Sequence, residues 1–176
     1  MLNINTFRPC DIVETAEAWQ AALESEHTPS ILALSRQGVP TLRSNTDENL
    51  TAKGAYIISP TNEKVQATLI ATGTEVSLAV AAQKQLRNLG IYVNVVSMPC
   101  CELFDRQSIE YKRNILGSAP RIAIEAGATF GWERYVGENG TIIGIDSFGA
   151  SGKGDSVYEH FGLTVDEIVA TTQKYI

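Results

Sequence analysis

The chain has 176 residues, of which 44% are hydrophobic and 19% are charged, and its formal net charge at neutral pH is −6. A globular chain of this length buries about 70% of the surface that it exposes when unfolded, so the sequence can form a substantial core. The net negative charge and the even mixing of acidic and basic residues argue against nucleic acid and anionic membranes as partners.

The N-terminus has no basic segment followed by an apolar core, and no apolar run approaches 18 residues, so we expect a cytoplasmic protein. Cys10, Cys100 and Cys101 are an odd set that fits neither a disulfide framework nor a tetrahedral metal site, and we expect reduced, structural thiols. His27 and His160 are the two histidines, and neither has a carboxylate or thiol at ligand spacing. No metal site is therefore predicted.

Residues 2–36 predict a strand, a helix and a second strand. The runs "LNINTF" and "SILALS" have the composition of strands, and Asp11 followed by Glu14 predicts a helix start between them. Apolar residues recur at helical spacing in this helix, which should end near Ser25: Val13, Ala16, Ala18, Trp19, Ala22 and Leu23. The polar stretch that follows is broken by Gly, Pro and Asn, and we interpret residues 41–53 as a linker.

A second strand–helix–strand unit begins after Gly54. The run "GAYIIS" predicts a strand, and "TLIAT" predicts another that leads into a helix, with Thr72 and Glu75 as a capping box. Gly90 should end this helix before the strand "IYVNVVS". Its apolar face is predicted to comprise Val76, Ala79, Ala82, Leu86 and Leu89.

Strands and helices continue to alternate towards the C-terminus. "RIAIEAG" and "TIIGID" predict strands, the aromatic "FGWERYV" between them looks helical, and Asp155–Phe161 could form one or two helical turns. Thr164 with Glu167 predicts the start of a final helix. The sequence therefore predicts the α/β class, with a mostly parallel sheet and helices on both faces, preceded by the βαβ remnant of a second α/β domain.

The glycine-rich stretch "FGASGKGDSVY" superficially resembles a phosphate-binding loop. A Walker loop needs a glycine five places before the Gly152-Lys153 pair and a hydroxyl after it, but Ser147 and Gly154 occupy these positions. A dinucleotide fingerprint starting at Gly152 meets Val157 where its third glycine should be. We interpret the stretch as a flexible turn before a short helix.

Open parallel sheets bind ligands at the carboxyl ends of their strands, so the side chains there are the candidate site residues. None of them pairs a nucleophile with a base or supplies two carboxylates in acid and base roles. The aromatic residues Phe130, Trp132 and Tyr135 are expected in the core or at a subunit interface, and Cys100 and Cys101 are expected to be structural. The candidates at the strand ends are Arg36, Gly73, Thr74, Glu75, Glu125, Asp146 and Ser147, of which Glu125 and Asp146 are expected to be structural.

Several segments, in this order and spacing, closely resemble transketolases. They are "FRPCDIVETAEAWQAAL", "PSILALSRQGVP", "KGAYII", "ATLIATGTEVSLAVAAQKQL", "RIAIEAG" and "GTIIGIDSFGAS…VYEHFGLTVDEIV", which together span residues 7–176. The resemblance implies that residues 1–40 are the end of a pyrimidine-binding domain and that residues 54–176 are a transketolase C-terminal domain. The family usually has Ala-Pro after the serine of the glycine-rich stretch, where this sequence has Gly152–Asp155.

The resemblance also implies a function for the complete enzyme. Transketolases use thiamine diphosphate and a divalent cation, Mg²⁺ or Ca²⁺, to move two-carbon ketol units between sugar phosphates in the pentose phosphate pathway. The family's catalytic and cofactor-binding residues belong to segments before Leu2, so we expect this chain alone to bind no cofactor and to be inactive. Arg36, in "LSRQ", matches the arginine that holds the substrate phosphate.

Two interpretations of the whole chain remain. In the first, it is the C-terminal piece of a transketolase, whose partners are the remainder of the transketolase chain and a second copy in a homodimer or larger assembly. In the second, it is a stand-alone α/β interaction or regulatory module, or a subunit of a split transketolase. For Arg36 the alternative to phosphate binding is an ion pair with a carboxylate at the strand end.

Overall fold

Two sheets, of two and five strands, organise residues 3–176, the part of the chain that the computed structural model describes. The strands are β1 (Asn5–Phe7), β2 (Ser30–Leu32), β3 (Tyr56–Ser59), β4 (Ala67–Ala71), β5 (Val93–Ser97), β6 (Arg121–Ile124) and β7 (Thr141–Ile143). The helices are α1 (Ile12–Glu24), α2 (Glu75–Asn88), α3 (Cys101–Asp105), α4 (Ile109–Leu116), α5 (Glu133–Val136), α6 (Gly154–His160) and α7 (Val165–Tyr175).

The strand–helix–strand unit predicted near the N-terminus is confirmed. β1 and β2 pair in parallel with Phe7 opposite Leu32, and α1 connects them. The carboxylate of Asp11 accepts the backbone N–H of Glu14 at 2.9 Å, which is the predicted cap. Both strands are shorter than the apolar runs that predicted them, and Leu2 lies outside the described residues.

The larger sheet has the strand order β3-β5-β4-β6-β7, and β3 is its antiparallel strand. The pairs β4–β5, β4–β6 and β6–β7 are parallel, so the predicted fold class is confirmed. Helix α2 connects β4 to β5 as the predicted crossover. The glycine before this sheet, Gly54, has φ +83° and lies too close to the backbone of Phe104 for any Cβ, so a side chain at this position would force the two segments apart.

The core of this sheet has two layers, because successive side chains of a strand point to opposite faces. On one face Leu69 and Val95 pack against α2 and α7, and on the other Ile70 and Val96 pack against α3, α4 and α5. Each of these four side chains is fully buried. Helices therefore cover both faces, and the final helix α7 begins at the predicted cap, where the hydroxyl of Thr164 accepts the N–H of Glu167 at 3.2 Å.

Some local predictions are wrong. Thr72 and Glu75 do not form a capping box, because α2 begins at Glu75 and the Thr72 hydroxyl instead donates to the buried carboxylate of Glu125 at 2.9 Å. Leu89 lies just past the end of α2 and is 57% exposed. Phe130 is 92% exposed, so it does not lie in the core, and its predicted alternative at a subunit interface stays a prediction. Helices α3 and α4 were not predicted.

The buried side of helix α1 is largely polar. Its buried residues are Glu14, Glu17 and Ala18, whereas Trp19 and Leu23 of the predicted apolar stripe are 52% and 78% exposed. Ala18 and Ala22 of the stripe pack in the cluster that contains Phe7, but among residues 3–176 little covers Trp19 and Leu23.

Residues 41–53, predicted to be a linker, are tied to α1 through polar contacts. The backbone N–H groups of Leu42 and Arg43 donate to Asp11 at 2.9 and 3.0 Å. The guanidinium of Arg43 lies 2.5 Å from the carboxylate of Glu17, which also accepts the N–H of Thr51 at 3.0 Å. None of the helices in residues 3–176 is long and apolar enough to cross a membrane.

Candidate functional site

A cleft of about 490 Å³ opens at the carboxyl ends of strands from both sheets. Its walls are the segments that follow β1, β2, β4 and β6, with one side chain from α6. The lining residues are Arg8, Pro9, Ala33, Leu34, Ser35, Arg36, Gln37, Gly73, Thr74, Glu75, Ala126 and Tyr158. The cleft therefore lies where open parallel sheets bind ligands.

Arg36 lies in the loop after β2 with an exposed side chain. Among residues 3–176, no carboxylate forms an ion pair with its guanidinium. The alternative role of Arg36, an ion pair with a carboxylate at the strand end, is thus not observed. Arg36 brings an uncompensated positive charge and a planar set of N–H donors to the cleft.

Arg8, which follows β1, is the second arginine in the cleft, and its charge is compensated. Its guanidinium contacts the carboxylate of Glu125 and lies 3.4 Å from that of Glu75. The side chains of these two glutamates are only 5% and 1% exposed. Two buried carboxylates held by one guanidinium make this part of the site rigid and leave Arg36 as the group available to an anion.

Further hydroxyl groups complete the polar cluster around Arg8. The hydroxyl of Thr74 contacts Glu75 at 2.9 Å, and the phenol of Tyr158 contacts both Thr74 and Glu75. Burial raises the pKa of the Glu75 carboxyl, while the Tyr158 hydrogen bond and the Arg8 charge act in the opposite direction. Burial also raises the pKa of Tyr158, so its phenol stays protonated at neutral pH and acts as a donor.

A second cleft, of about 320 Å³, lies on the other side of the Arg8–Glu125 contact. Met98, Cys101 and Trp132 contribute to its walls, and Glu102 beside them accepts the N–H of Thr6 at 3.1 Å. Burial raises the pKa of the Cys101 thiol to about 11, so it is protonated at neutral pH and is a poor nucleophile. Burial also raises the pKa of Cys100, to about 12.

The glycine-rich stretch contributes one residue, Tyr158, to the wall of the larger cleft. It ends in α6, which begins at Gly154, as the prediction of a turn before a short helix requires. A Cβ at Gly154 would overlap the side-chain amide of Gln37, so glycine permits this close approach to the Arg36 loop. Lys153 is exposed, and the stretch places Tyr158 in the cleft.

The structure brings some of the predicted site residues together and separates others. Arg36, Gly73, Thr74 and Glu75 line the larger cleft, while Glu125 lines the smaller one. Asp146 instead accepts hydrogen bonds from the backbone and hydroxyl of Thr129, both at 2.8 Å. Ser147 lines neither cleft.

Sequence reasoning missed Arg8 and Tyr158. Arg8 could have been found, because it follows the first predicted strand as directly as Glu125 follows β6. Tyr158 carries no such signal, since its position in the cleft depends on how α6 packs. The assembled site suits the binding of an anion by Arg36 more than bond-making chemistry.

Comparison with known proteins places these features in a family. The family model described as "Transketolase-like TK C-terminal domain" matches residues 54–164. Transketolase of Sinorhizobium medicae is 49% identical over 170 residues, which are 96% of this chain and 24% of the relative. Chloroplastic transketolase of Solanum tuberosum is 47% identical over 178 residues, which are 99% of this chain and 24% of the relative. The chain thus spans about a quarter of the length of these curated relatives.

Solved structures agree with these matches. Transketolase of Pichia stipitis in complex with sedoheptulose 7-phosphate has a TM-score of 0.90 and 40% identity, covering 98% of this chain and 25% of that one. An inactive beta4 tetramer of a split-gene transketolase has a TM-score of 0.83, covering 98% of this chain and 58% of that one. At 23% identity, the second match supports the fold alone.

Proposed function

The chain belongs to the transketolase family, and from this premise we propose that it acts as the C-terminal part of a transketolase. Residues 1–40 would be the end of the pyrimidine-binding domain, residues 41–53 the linker and residues 54–176 the C-terminal domain. The complete enzyme would use thiamine diphosphate and a divalent cation, Mg²⁺ or Ca²⁺, to move two-carbon ketol units between sugar phosphates in the pentose phosphate pathway.

The observation that carries this proposal is the unpaired guanidinium of Arg36 in a cleft at the carboxyl ends of the strands. A guanidinium matches a phosphate group in geometry and charge, and can donate two parallel hydrogen bonds to it. Its neighbour Arg8 is occupied by Glu75 and Glu125, so in the described chain the phosphate of a sugar would be held at this cleft by Arg36. In this role Arg36 binds substrate and takes no part in proton transfer.

Kinetics of a hybrid enzyme test the role of Arg36. The corresponding C-terminal part of the Sinorhizobium medicae transketolase would be replaced by this chain, and Arg36→Leu would be compared with Arg87→Leu, a change on the exposed side of α2. We expect Arg36→Leu to raise KM for a phosphorylated ketose about tenfold or more, with little effect on an unphosphorylated ketol donor. An equal loss with both donors would contradict phosphate binding by Arg36.

We propose that the chain by itself neither binds thiamine diphosphate nor transfers ketol groups. The cleft has one available guanidinium, and an exposed ion pair with it contributes about 1 kcal/mol to the binding free energy. This is too little to retain a diphosphate cofactor. Isothermal titration calorimetry of this chain with thiamine diphosphate and Mg²⁺ tests this directly. Binding in the micromolar range would refute it.

The partners we propose are the remainder of a transketolase chain and a second copy of this one, in a cytoplasmic protein. Ile12, Trp19 and Leu23 of α1 and Ile31 of β2 are between 49% and 78% exposed, which is unusual for large apolar side chains grouped on one unit. Sedimentation of the isolated chain should show a dimer or larger species, and Trp19→Glu with Leu23→Glu should shift it towards the monomer. A wild-type monomer at high concentration would contradict this proposal.

A subunit of a split transketolase is the second candidate. It is compatible with the fold match to a split-gene transketolase, of which this chain covers 58%. The DNA upstream of the Met1 codon distinguishes the two: an in-frame continuation that encodes the other domains favours the first proposal, and a ribosome-binding site favours the second. A stand-alone regulatory module would be favoured by a ribosome-binding site without any partner gene for the other domains.

A further inference from the structure

We propose that the crevice between the carboxyl ends of β4 and β6 is a docking site for the guanidinium of Arg8, and that Arg8 is the positioning residue for the Arg36 loop. Neither role follows from family membership. The inference uses the proposed function only for what Arg36 binds, because the docking itself is independent of any substrate.

The topology marks this crevice as a place where a ligand would be expected. From β4 the chain passes through α2 to β5 on one side, and from β5 it continues to β6 on the other side of β4. Such a switch point leaves an open crevice at the carboxyl ends of the two adjacent strands. Here Thr72 follows β4 and Glu125 follows β6, while Glu75 begins α2 beside them.

The occupant of this crevice is part of the same chain. The Arg8 guanidinium contacts Glu125 and lies 3.4 Å from Glu75, and Thr72 donates to Glu125 at 2.9 Å. The backbone of Arg8 is held as well, because its N–H donates to the carbonyl of Pro99 at 2.8 Å and its carbonyl accepts the N–H of Gly73 at 2.9 Å. The crevice between the carboxyl ends of β4 and β6 thus binds Arg8, the residue that follows β1.

Because Arg8 is held in this crevice, the pairing of β1 with β2 also restrains the loop that carries Arg36. Phe7 lies opposite Leu32, and the carbonyl of Phe7 accepts the N–H of Ala33 at 2.8 Å. Arg36 follows three residues later. Ile31 and Leu34 are 49% and 52% exposed, whereas Leu32 packs into the cluster that contains Phe7, so β2 is restrained through β1 by both pairing and packing.

The chemistry requires arginine at position 8. A guanidinium is a planar fork that can contact two carboxylates at once, whereas the ammonium of lysine is a point charge on a flexible stem. Without Arg8, the buried carboxylates of Glu75 and Glu125 would lie near each other with no cation between them, and their like charges would repel. Free guanidinium ion has the shape and charge to refill the crevice.

Hydrogen exchange with guanidinium rescue tests the proposal. In Arg8→Ala we expect amide exchange at Ala33, whose N–H donates to the carbonyl of Phe7, to accelerate about tenfold or more, with exchange in β4 and β5 unchanged. About 20 mM guanidinium chloride, far below denaturing concentrations, should reverse most of this change, and the same concentration of NaCl should not. Arg87→Ala serves as the matched control, since Arg87 is an exposed arginine of α2.

Arg8→Lys keeps the charge and provides a second variant should Arg8→Ala fail to fold. We expect it to fold and to show faster exchange at Ala33 than the wild type, because an ammonium cannot span both carboxylates. Wild-type exchange in Arg8→Lys, a uniform increase over the whole chain in Arg8→Ala, or equal rescue by NaCl would overturn the proposal. No substrate enters these measurements, so a failure of Arg36 as a phosphate ligand would leave their outcome unaffected.

Discussion

The two sheets of this molecule are stabilised in opposite ways. The five-stranded sheet buries apolar side chains such as Leu69 and Ile122 completely between its two helical layers. The unit of β1, α1 and β2 turns carboxylates inward, with Glu14 fully buried and Glu17 8% exposed, and leaves Leu23 78% exposed. The stability of the five-stranded sheet comes from buried apolar area. The stability of the β1–α1–β2 unit requires that each buried polar group keeps its partner.

The buried carboxylates of α1 connect its unit to the rest of the chain. Glu14 accepts hydrogen bonds from the Tyr56 hydroxyl at 2.7 Å, the Ser97 hydroxyl at 2.6 Å and the Cys10 N–H at 2.7 Å. Tyr56 and Ser97 belong to β3 and β5, so one side chain of α1 reaches two strands of the larger sheet. The apolar side chains Trp19 and Leu23 of α1 therefore point away from the larger sheet.

The largest effect should come from removing Glu17. In Glu17→Ala the guanidinium of Arg43, 6% exposed, loses the carboxylate that lies 2.5 Å away. A buried charge left without its partner costs about 3–5 kcal/mol, so we expect the free energy of unfolding in urea to fall by that amount.

Glu24→Ala, an exposed change on the same helix, is the control and should cost less than about 0.5 kcal/mol. Equal, small losses in the two variants would show that the Arg43–Glu17 contact contributes nothing to the docking of α1.

Substitution of one leucine in each region compares how much buried apolar area stabilises it. Leu69→Ala opens a cavity in the fully buried core of the larger sheet and should cost about 2–5 kcal/mol, whereas Leu23→Ala on α1 should cost about 0.5 kcal/mol or less. Urea denaturation of both variants measures the difference. A loss above about 2 kcal/mol for Leu23→Ala would mean that this face is already covered in solution, for example by a second copy.

Asp11 should have a smaller effect. Its carboxylate caps α1 and also accepts the N–H groups of Leu42 and Arg43, so Asp11→Ala should cost about 1–2 kcal/mol. Thr164→Ala removes the cap of α7 alone and should cost about 1 kcal/mol in the same denaturation assay. A larger loss for Thr164→Ala would contradict the additional role assigned to Asp11.

Glu14 should give the stability of the fold a pH dependence. Burial raises its pKa above the ordinary value of 4.5, although its hydrogen bonds act in the opposite direction. Above about pH 4.5 the unfolded chain loses this proton before the folded one does, so the stabilisation from a protonated Glu14 is lost as the pH rises through the raised pKa.

We expect the free energy of unfolding of the wild type, relative to Glu14→Gln, to decrease above pH 4.5 by up to about 1.4 kcal/mol per pH unit. Glu24→Gln, at the exposed end of α1, is the matched control for the substitution. A difference between wild type and Glu14→Gln that increases with pH would show that the pKa is lowered instead.

The sequence predicted the elements that are determined by the periodicity of apolar residues. It did not predict the features that depend on how the elements pack together. The continuous apolar run in "TLIAT" and the helical spacing from Val76 to Leu86 predicted β4, α2 and their fully buried residues. The stripe of α1 was equally clear, but periodicity gives the apolar face of a helix and not the direction in which it docks. Glu14 and Glu17 are buried because partners 26 to 83 residues away reach them, which no local pattern reveals.

The same limit applied to the candidate site. Arg36 was found through a family resemblance, and its position in a cleft agrees with that prediction without testing its role. The capping box at Thr72 failed because a buried carboxylate from β6 competed for its hydroxyl. Helices α3 and α4 were missed, although Ser108 accepts the N–H of Tyr111 at 3.1 Å as an ordinary cap of α4.

The most direct test of the central claim is ketol transfer measured side by side for the isolated chain and for the hybrid transketolase that carries it. The claim is that these residues complete a transketolase and do not constitute one. We expect the hybrid to transfer ketol units from xylulose 5-phosphate and the isolated chain to show no transfer with thiamine diphosphate and Mg²⁺. Transfer by the isolated chain, or a folded hybrid that binds thiamine diphosphate yet transfers nothing, would contradict the account.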